Sequence, residues 1–192
     1  MKIISRGAEA ILYDVGDKIK KERISKTYRL PQIDITLRKT RARKELNNMT
    51  RLAAIGVNVP HITQDGDFGL RIDKIKGITL QKLIKTNDQN LNVLFQMLGE
   101  QIKKIHDFDI IHGDLAPTNM VINNMQPFLI DFGLSYQSKS IEDKATDIVL
   151  FLKLLRSLHT NENLISAFFK GYLPNKLFLD KIEQIKKRAR YL

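Results

Sequence analysis

The sequence predicts an α+β protein with two lobes: a small antiparallel β-sheet lobe with one long helix, then a mainly helical lobe. Three observations support this prediction. Residues 1–24 alternate short apolar runs with turns. A basic segment with apolar residues at helical spacing follows, and most of the chain beyond Leu91 has the apolar pattern of buried helices. The 192 residues suffice for one domain, which we expect to divide into lobes of residues 1–77 and 78–192.

The N-terminal lobe begins with three predicted strands. The runs IIS, AILY and KIKKERI are separated by the turns RGAEA and DVGD. Leu46, Met49 and Leu52 then recur at helical spacing, and Gly56 stands where a helix ends. The segments VPHITQ and FGLRIDKI, joined across DGD, predict a hairpin that Gly77 closes at the boundary between the lobes.

The second lobe begins with an amphipathic helix, whose apolar residues recur from Leu91 to Ile105. The runs MVI and PFLI predict a short hairpin. From Ile141 onward the chain is predicted to be helical, with an apolar helix, an amphipathic helix and a last helix that ends in a basic tail. His106 and His159 are expected to be structural histidines, remote from paired acids.

The composition excludes several classes of chemistry. Without cysteine the chain has no disulfides, no thiolate metal site and no cysteine nucleophile. No stretch approaches the roughly 18 uninterrupted apolar residues of a membrane-spanning helix, and the N-terminus lacks the apolar core of a signal peptide. We therefore expect a cytoplasmic protein with no membrane partner.

Positive charge is concentrated at two places. The chain has 32 Lys and Arg against 21 Asp and Glu, a formal net charge of +11. Residues 18–45 hold eleven of these cations and only three acids. Such a patch either meets the phosphates of a nucleic acid or is a solvated basic surface, and the sequence leaves both open. A second basic cluster closes the chain: Lys186, Lys187, Arg188 and Arg190.

The strongest chemical signal is the segment HGDLAPTN at 112–119, followed after a short hairpin by DFG at 131–133. Phosphoryl transfer from ATP needs Mg²⁺ on the phosphates and a carboxylate that orients or deprotonates the nucleophile. The spacing predicts Asp114 as the catalytic carboxylate, with Asn119 and Asp131 as oxygen ligands of the metal. ATP and Mg²⁺ are the expected cofactors.

These motifs resemble those of the protein-kinase-like superfamily. The resemblance implies a kinase-like fold, with residues 7–10 as the phosphate-binding loop, although the loop lacks the pattern G-x-G-x-x-G. It also implies Lys21 as the lysine that holds the α and β phosphates, with Glu45 as its ion-pair partner. Strand alternation alone leaves Lys18 and Lys20 as alternatives.

At a finer level, GAEA, KERISKTYRLPQID, TRARKE, HGDLAPTN and DFGLS followed by EDKATD resemble the atypical kinase subunits of the KEOPS complex, the PRPK family. The resemblance covers nearly the whole chain, with Ala42 and residues 116–118 departing from the usual residues. It places the hinge against adenine at residues 72–75. The nucleotide-binding residues that it implies are Gly7, Ala8, Glu9, Ala10, Lys21, Glu45, Asp73, Lys74 and Ile75.

The resemblance also implies the partners. They are the threonylcarbamoylation subunit of KEOPS, a small neighbouring KEOPS subunit, and tRNA, which the patch at residues 18–45 and the basic tail are expected to contact. Phosphoryl transfer to Ser or Thr, or ATP hydrolysis, would then support formation of threonylcarbamoyladenosine in tRNA. Kinase and ATPase activity both remain open.

Two other functions remain open. Small-molecule phosphotransferases of the aminoglycoside-kinase or choline-kinase type also use an H-G-D loop, but only 59 residues follow Gly133, few for a substrate pocket. A non-catalytic module that bridges proteins and tRNA is the other alternative. The presence of Lys21, Glu45, Asp114 and Asp131 argues against it.

Overall fold

The N-terminal part of the chain is a five-stranded antiparallel sheet with one long helix, as predicted. The computed structural model describes residues 1–86, 90–158 and 161–189. The sheet has the order β1-β2-β3-β5-β4. Its strands are β1 (Lys2–Arg6), β2 (Ala10–Asp14), β3 (Lys18–Arg23), β4 (Ile62–Asp65) and β5 (Gly69–Asp73).

The long helix α1 (Pro31–Ala54) contacts β4 and β5. Proline suits its first turn, where an amide proton would have no partner. The helix ends before Gly56, whose φ of +75° is the left-handed conformation typical of such a position. Its buried face follows helical spacing and includes two acids. The buried residues are Asp34, Ala42, Glu45, Asn48, Met49 and Leu52.

The C-terminal part combines five helices with two small sheets in the described residues. The helices are α2 (Leu80–Ile84), α3 (Leu91–Asp107), α4 (Ile141–Ser157), α5 (Glu162–Tyr172) and α6 (Lys176–Ala189). One sheet pairs β6 (Ile78–Thr79), β8 (Met120–Asn123) and β9 (Gln126–Leu129), and the other pairs β7 (Ile110–Ile111) with β10 (Tyr136–Gln137). The loop at 112–119 therefore lies between β7 and β8, and residues 131–133 follow β9.

One apolar core runs from Met49 and Leu52 of α1 into the C-terminal helices, where Phe151 and Phe168 are fully buried. It gives the loops of the C-terminal part a rigid support. No helix within the described ranges is long and apolar enough to cross a lipid bilayer.

Helices α3 and α5 approach each other closely because two glycines face the contact. A β-carbon on Gly171 would overlap the carbonyl oxygen of Gln96, and one on Gly99 would overlap that of Phe168. Both overlapping atoms belong to the backbone, which cannot relieve the overlap by a change of rotamer as a side chain could. The contact therefore excludes any larger residue at these two positions.

We expect Gly171→Ala to destabilise the protein by about 2–3 kcal/mol, because the two helices must separate to admit the methyl group. Denaturant unfolding of the purified chain measures this. Ser166→Ala, on the exposed face of α5, is the matched control and is expected to change stability by less than about 0.5 kcal/mol. Equal unfolding midpoints for Gly171→Ala and the unaltered chain would contradict the expectation.

Candidate active site

Lys21 joins three parts of the fold. Its side chain is buried, and its Nζ lies 2.7 Å from Oε1 of Glu45 on α1 and 2.6 Å from Oδ1 of Asp131. The other two candidate lysines contact acids elsewhere, Lys18 at Asp73 and Lys20 at Glu22 and Asp65. Strand alternation explains the division, because Lys21 faces the opposite side of β3 from Lys18 and Lys20.

The carboxylate of Glu45 is fully buried and pairs with two cations. Besides Lys21, Nη2 of Arg23 lies 2.6 Å from Oε2 of Glu45. A buried carboxylate is tolerated only where charge and hydrogen bonds compensate its lost hydration. Arg23 was not predicted as a site residue, although its position two residues after Lys21 puts both side chains on the same face of β3.

Asp131 lies at the junction of the N-terminal sheet and the C-terminal loops. Its φ of +61° is left-handed, and the amide of Gly133 donates to Oδ1 at 3.3 Å. Such a conformation is costly for a residue other than glycine and persists only where its surroundings impose it. Burial tends to raise the pKa of Asp131, but the charge and hydrogen bond of Lys21 outweigh it and lower the pKa. Asp131 is therefore a carboxylate at neutral pH.

The loop at 112–119 holds Asp114 through short-range hydrogen bonds. Nδ2 of Asn119 donates to the carbonyl oxygen and to Oδ2 of Asp114, both at 2.9 Å. The amide of Asp114 donates to Nδ1 of His112 at 3.3 Å, and Nε2 of His112 donates to the carbonyl of Ile130 at 3.2 Å. Asn119 thus orients Asp114 and keeps its own amide oxygen available as a ligand.

Asp147 of α4 holds this loop in place, and it was not predicted from the sequence. It is buried and accepts the amides of His112 at 3.0 Å and Gly113 at 3.1 Å. Nε2 of His106 lies 3.3 Å from the same carboxylate, and Nδ1 of His106 lies 2.8 Å from the hydroxyl of Tyr172. His106 is therefore a buried, hydrogen-bonded residue, as expected of a structural histidine, but it lies beside an acid and not away from one. His159 lies outside the described residues.

Two adjoining cavities open beside Lys21 and Asp131. The first, of about 290 Å³, is mostly apolar, as a site for a planar base should be. Asp73 and Ile75 line it as expected. Lys74 does not, because its ammonium pairs with Asp14 at 2.7 Å and its amide donates to the carbonyl of Asp17. The apolar lining comes from Leu12, Ile19, Pro60, Ile72, Ile75, Val121 and Ile130.

The second cavity, of about 300 Å³, is lined by charged groups and by the whole loop at residues 7–10. Both cavities are bordered by Leu12, Lys21 and Asp131. A molecule with an apolar ring and an anionic chain would therefore fit with the ring in the first cavity and the chain in the second. The charged side chains of the second cavity are Glu9, Lys21, Arg23, Arg41, Asp114 and Asp131.

The donor set suits Mg²⁺ bound together with phosphate. Asp131 and Asn119 offer hard oxygen atoms, which this ion prefers. Within the described part of the chain, no cluster of three or more acidic or histidine side chains could hold a metal alone. Mg²⁺ commonly takes one or two carboxylates and completes its shell with water and phosphate oxygens, so the residues present fit a nucleotide-bound ion.

Much of the basic patch at residues 18–45 is neutralised within the fold. Of its eleven cations, all in the described part of the chain, eight form ion pairs with carboxylates, most of which come from outside the segment. In the tail, Lys186 pairs with Glu183 and Arg188 with Glu142, whereas Arg190 lies outside the described residues. The paired members of the patch are Lys18, Lys20, Lys21, Arg23, Arg29, Arg38, Lys39 and Arg41.

Burial of His112 predicts a loss of stability in acid. Burial lowers the pKa of its imidazole, so the folded chain keeps it neutral while the unfolded chain takes up a proton below about pH 6.5. As the pH decreases below about 6.5, the free energy of unfolding therefore decreases, by up to about 1.4 kcal/mol for each pH unit. Denaturant unfolding between pH 7 and pH 5 should show a shallower slope for His112→Asn than for the unaltered chain. Equal slopes would refute this; His61→Asn, at an exposed position, is the control.

Replacing Asp147 should loosen the loop that carries Asp114. In Asp147→Asn an NH₂ group replaces one of the two carboxylate oxygens, so the backbone N–H of either His112 or Gly113 loses its acceptor and faces a second donor. We expect a loss of about 2–3 kcal/mol in the free energy of unfolding. Asp143→Asn, one turn earlier on α4, is the control and should cost at most about 1 kcal/mol. An Asp147→Asn protein as stable as the control would show that the anchor is dispensable.

Comparisons with known proteins show the family of the chain. A family model described as the RIO domain matches residues 13–150. The chain is 36% identical to the EKC/KEOPS complex subunit BUD32 of Enterocytozoon bieneusi, over 99% of this chain and 98% of that protein. It is 34% identical to the KEOPS complex subunit Bud32 of Pyrococcus abyssi, over 100% and 96% of the two chains.

Two further comparisons concern a larger relative and the fold. The chain is 36% identical to a probable bifunctional tRNA threonylcarbamoyladenosine biosynthesis protein of Methanosarcina barkeri and spans 36% of its length. The Rio2 kinase of Chaetomium thermophilum, solved as an ADP/Mg²⁺-phosphoaspartate complex, shares the fold with a TM-score of 0.67 at 15% identity, over the whole chain and 71% of that kinase. The predicted kinase-like fold is confirmed. Because the RIO match spans most of the chain and the Bud32 relatives match it nearly end to end, the chain belongs to the RIO-domain kinase-like family, among the Bud32 subunits.

Proposed function

We propose that the chain is an ATP-dependent phosphotransferase or ATPase that serves a KEOPS complex in threonylcarbamoyladenosine modification of tRNA. The observation that carries this proposal is the contact of Lys21 with Glu45 and Asp131, between an apolar and a charged cavity. The relatives named as KEOPS subunits and as a threonylcarbamoyladenosine biosynthesis protein support the biological role.

Each residue has a physical task in this proposal. The base lies in the apolar cavity against residues 72–75, and Lys21 holds the α and β phosphates while Glu45 fixes its position. Asp131 and Asn119 would hold Mg²⁺, which would neutralise phosphate charge. Asp114 orients a hydroxyl or water for attack on the γ-phosphorus and accepts its proton as ADP leaves.

The proposed partners are the threonylcarbamoylation subunit, a small KEOPS neighbour and tRNA, in the cytoplasm. Because most cations of the basic patch form ion pairs, we propose that tRNA contacts only the unpaired ones. Lys26, Arg43 and Lys44 form no ion pair with an acid of the described residues, and each is at least partly exposed. Lys187 contributes in the same way from α6. Unpaired cations can release counterions from RNA phosphates, whereas paired ones must first leave their carboxylates.

ATP turnover by the purified chain tests this function, alone and with tRNA and the threonylcarbamoylation subunit. We expect turnover to rise with these partners and to fall about 100-fold or more in Asp131→Ala, because the metal and Lys21 lose their common carboxylate. Asp180→Ala, at an exposed position on α6, should turn over ATP like the unaltered chain. Turnover by Asp131→Ala equal to that of this control would contradict the proposal.

Assays of phosphoryl transfer to other acceptors, and of tRNA modification, separate the alternative functions. Phosphorylation of a free alcohol or amine without protein or tRNA would favour a small-molecule phosphotransferase. Transfer only to added protein, indifferent to the partners, would indicate an independent kinase. Normal support of tRNA modification by Asp114→Asn would favour a non-catalytic bridging module, because the acid would then be dispensable.

A further inference from the structure

Arg41 lies one helical turn from the central ion pair, on the same face of α1. It precedes Glu45 by four residues, and residues so spaced are neighbours on a helix surface. Glu45 is fully buried and contacts Lys21, while Arg41 is 30% exposed and lines the charged cavity. The helix therefore presents Glu45 towards the interior and Arg41 towards the loop at residues 7–10.

The two cavities give a bound nucleotide a direction. Lys21 and Asp131 border both cavities, whereas Glu9, Arg41 and Asp114 border only the charged one. Phosphates that follow the base must pass Lys21 and Asp131 first. The phosphate farthest from the base then arrives in the part of the cavity that Arg41 and Asp114 line.

Arg41 already binds an anion at this place. Its Nη1 lies 2.7 Å from Oε2 of Glu9, whose Oε1 accepts a hydrogen bond from Nη2 of Arg29 at 3.1 Å. Burial tends to raise the pKa of Glu9, but the hydrogen bonds and charges of the two arginines outweigh it and lower the pKa. Glu9 is therefore a charged ligand of Arg41 at neutral pH.

In the ion pair of Arg41 and Glu9, another anion can replace Glu9 with a small loss of free energy. About a third of each side chain is exposed, 30% for Arg41 and 38% for Glu9, and ion pairs open to solvent contribute little. Glu9 also keeps Arg29 as a partner when Arg41 leaves. A guanidinium binds phosphate oxygens through two parallel charge-assisted hydrogen bonds, which is a stronger arrangement.

We propose that Arg41 binds the terminal phosphate of a nucleoside triphosphate and that Glu9 occupies Arg41 until that phosphate displaces it. The inference rests on the proposed function and deepens it, because it names the residue that distinguishes a triphosphate from a diphosphate. Loss of Arg41 weakens binding of the triphosphate selectively. Loss of the Glu9 charge removes the competing anion and has the opposite effect.

Equilibrium binding of Mg-ADP and of the Mg²⁺ complex of the non-hydrolysable β,γ-imido analogue of ATP tests the inference. We expect Arg41→Gln to weaken binding of the analogue about tenfold and to leave ADP binding within about twofold, the loss of one charge-assisted contact. Glu9→Gln should shift the preference about threefold towards the analogue. The double variant should show the same preference as Arg41→Gln, since Glu9 affects the choice between the two nucleotides by competing for Arg41.

A purely structural latch gives a different result. If the pair serves only to tie the loop to α1, both single variants weaken both nucleotides alike, and the inference is overturned. An unchanged preference in Arg41→Gln also overturns it. Arg156→Gln and Glu162→Gln, which break an exposed ion pair between α4 and α5, are the matched controls and should change neither affinity.

Failure of the inference is distinguishable from failure of the proposed function. Binding of both nucleotides by the unaltered chain, with no change of preference in Arg41→Gln, overturns the inference alone. Absence of binding by the unaltered chain overturns both. Should Arg41→Gln fail to fold, Arg41→Lys keeps the charge but loses the paired hydrogen bonds, and it is expected to show the same selective loss at about threefold.

Discussion

The buried carboxylate of Glu45 is the constraint on which the rest of the site depends. A fully buried charge must be paired, and Glu45 is paired by Lys21 and Arg23 of one strand. The same requirement fixes the helix against the sheet, since Glu45 can reach both cations only in this orientation of α1. Lys21 then extends the network to Asp131, so that strand, helix and C-terminal loop are held at one point. The arrangement of Lys21 and Asp131 that suits a nucleotide therefore depends on the pairing of the buried Glu45.

A second buried acid, Asp147, performs the corresponding task in the C-terminal part. It accepts two successive backbone amides of the loop before Asp114, and a helix core packed through Gly99 and Gly171 supports it. The N-terminal network thus positions Lys21, and the C-terminal one positions Asp114. The two networks meet at Asp131, whose side chain contacts Lys21 and whose backbone is left-handed.

The elements and the acids Asp114 and Asp131 could be predicted because their signals are local, whereas Lys21 and Glu45 were assigned from the family resemblance. Strand alternation, helical spacing and the interval between Asp114, Asn119 and Asp131 are all visible in short stretches of sequence. Arg23, Arg41 and Asp147 could not be assigned, because their roles arise from contacts with residues distant in the chain. Lys74, which the resemblance places at the nucleotide, directs its ammonium to Asp14 of another strand, and this contact is not visible in the local sequence. The basic patch illustrates the limit well: a charge count within residues 18–45 overlooks the carboxylates that the fold brings to it from outside.

The central claim is that the contact of Lys21 with Glu45 and Asp131 forms a site for a magnesium-bound nucleotide. The Mg²⁺ dependence of ADP affinity, measured by calorimetry on the unaltered chain and on Asp131→Asn, tests this claim most directly. The account predicts that Mg²⁺ strengthens ADP binding by the unaltered chain about tenfold or more and that Asp131→Asn loses this gain, because the amide lacks the charge that the ion requires. An equal Mg²⁺ dependence in both proteins would contradict it.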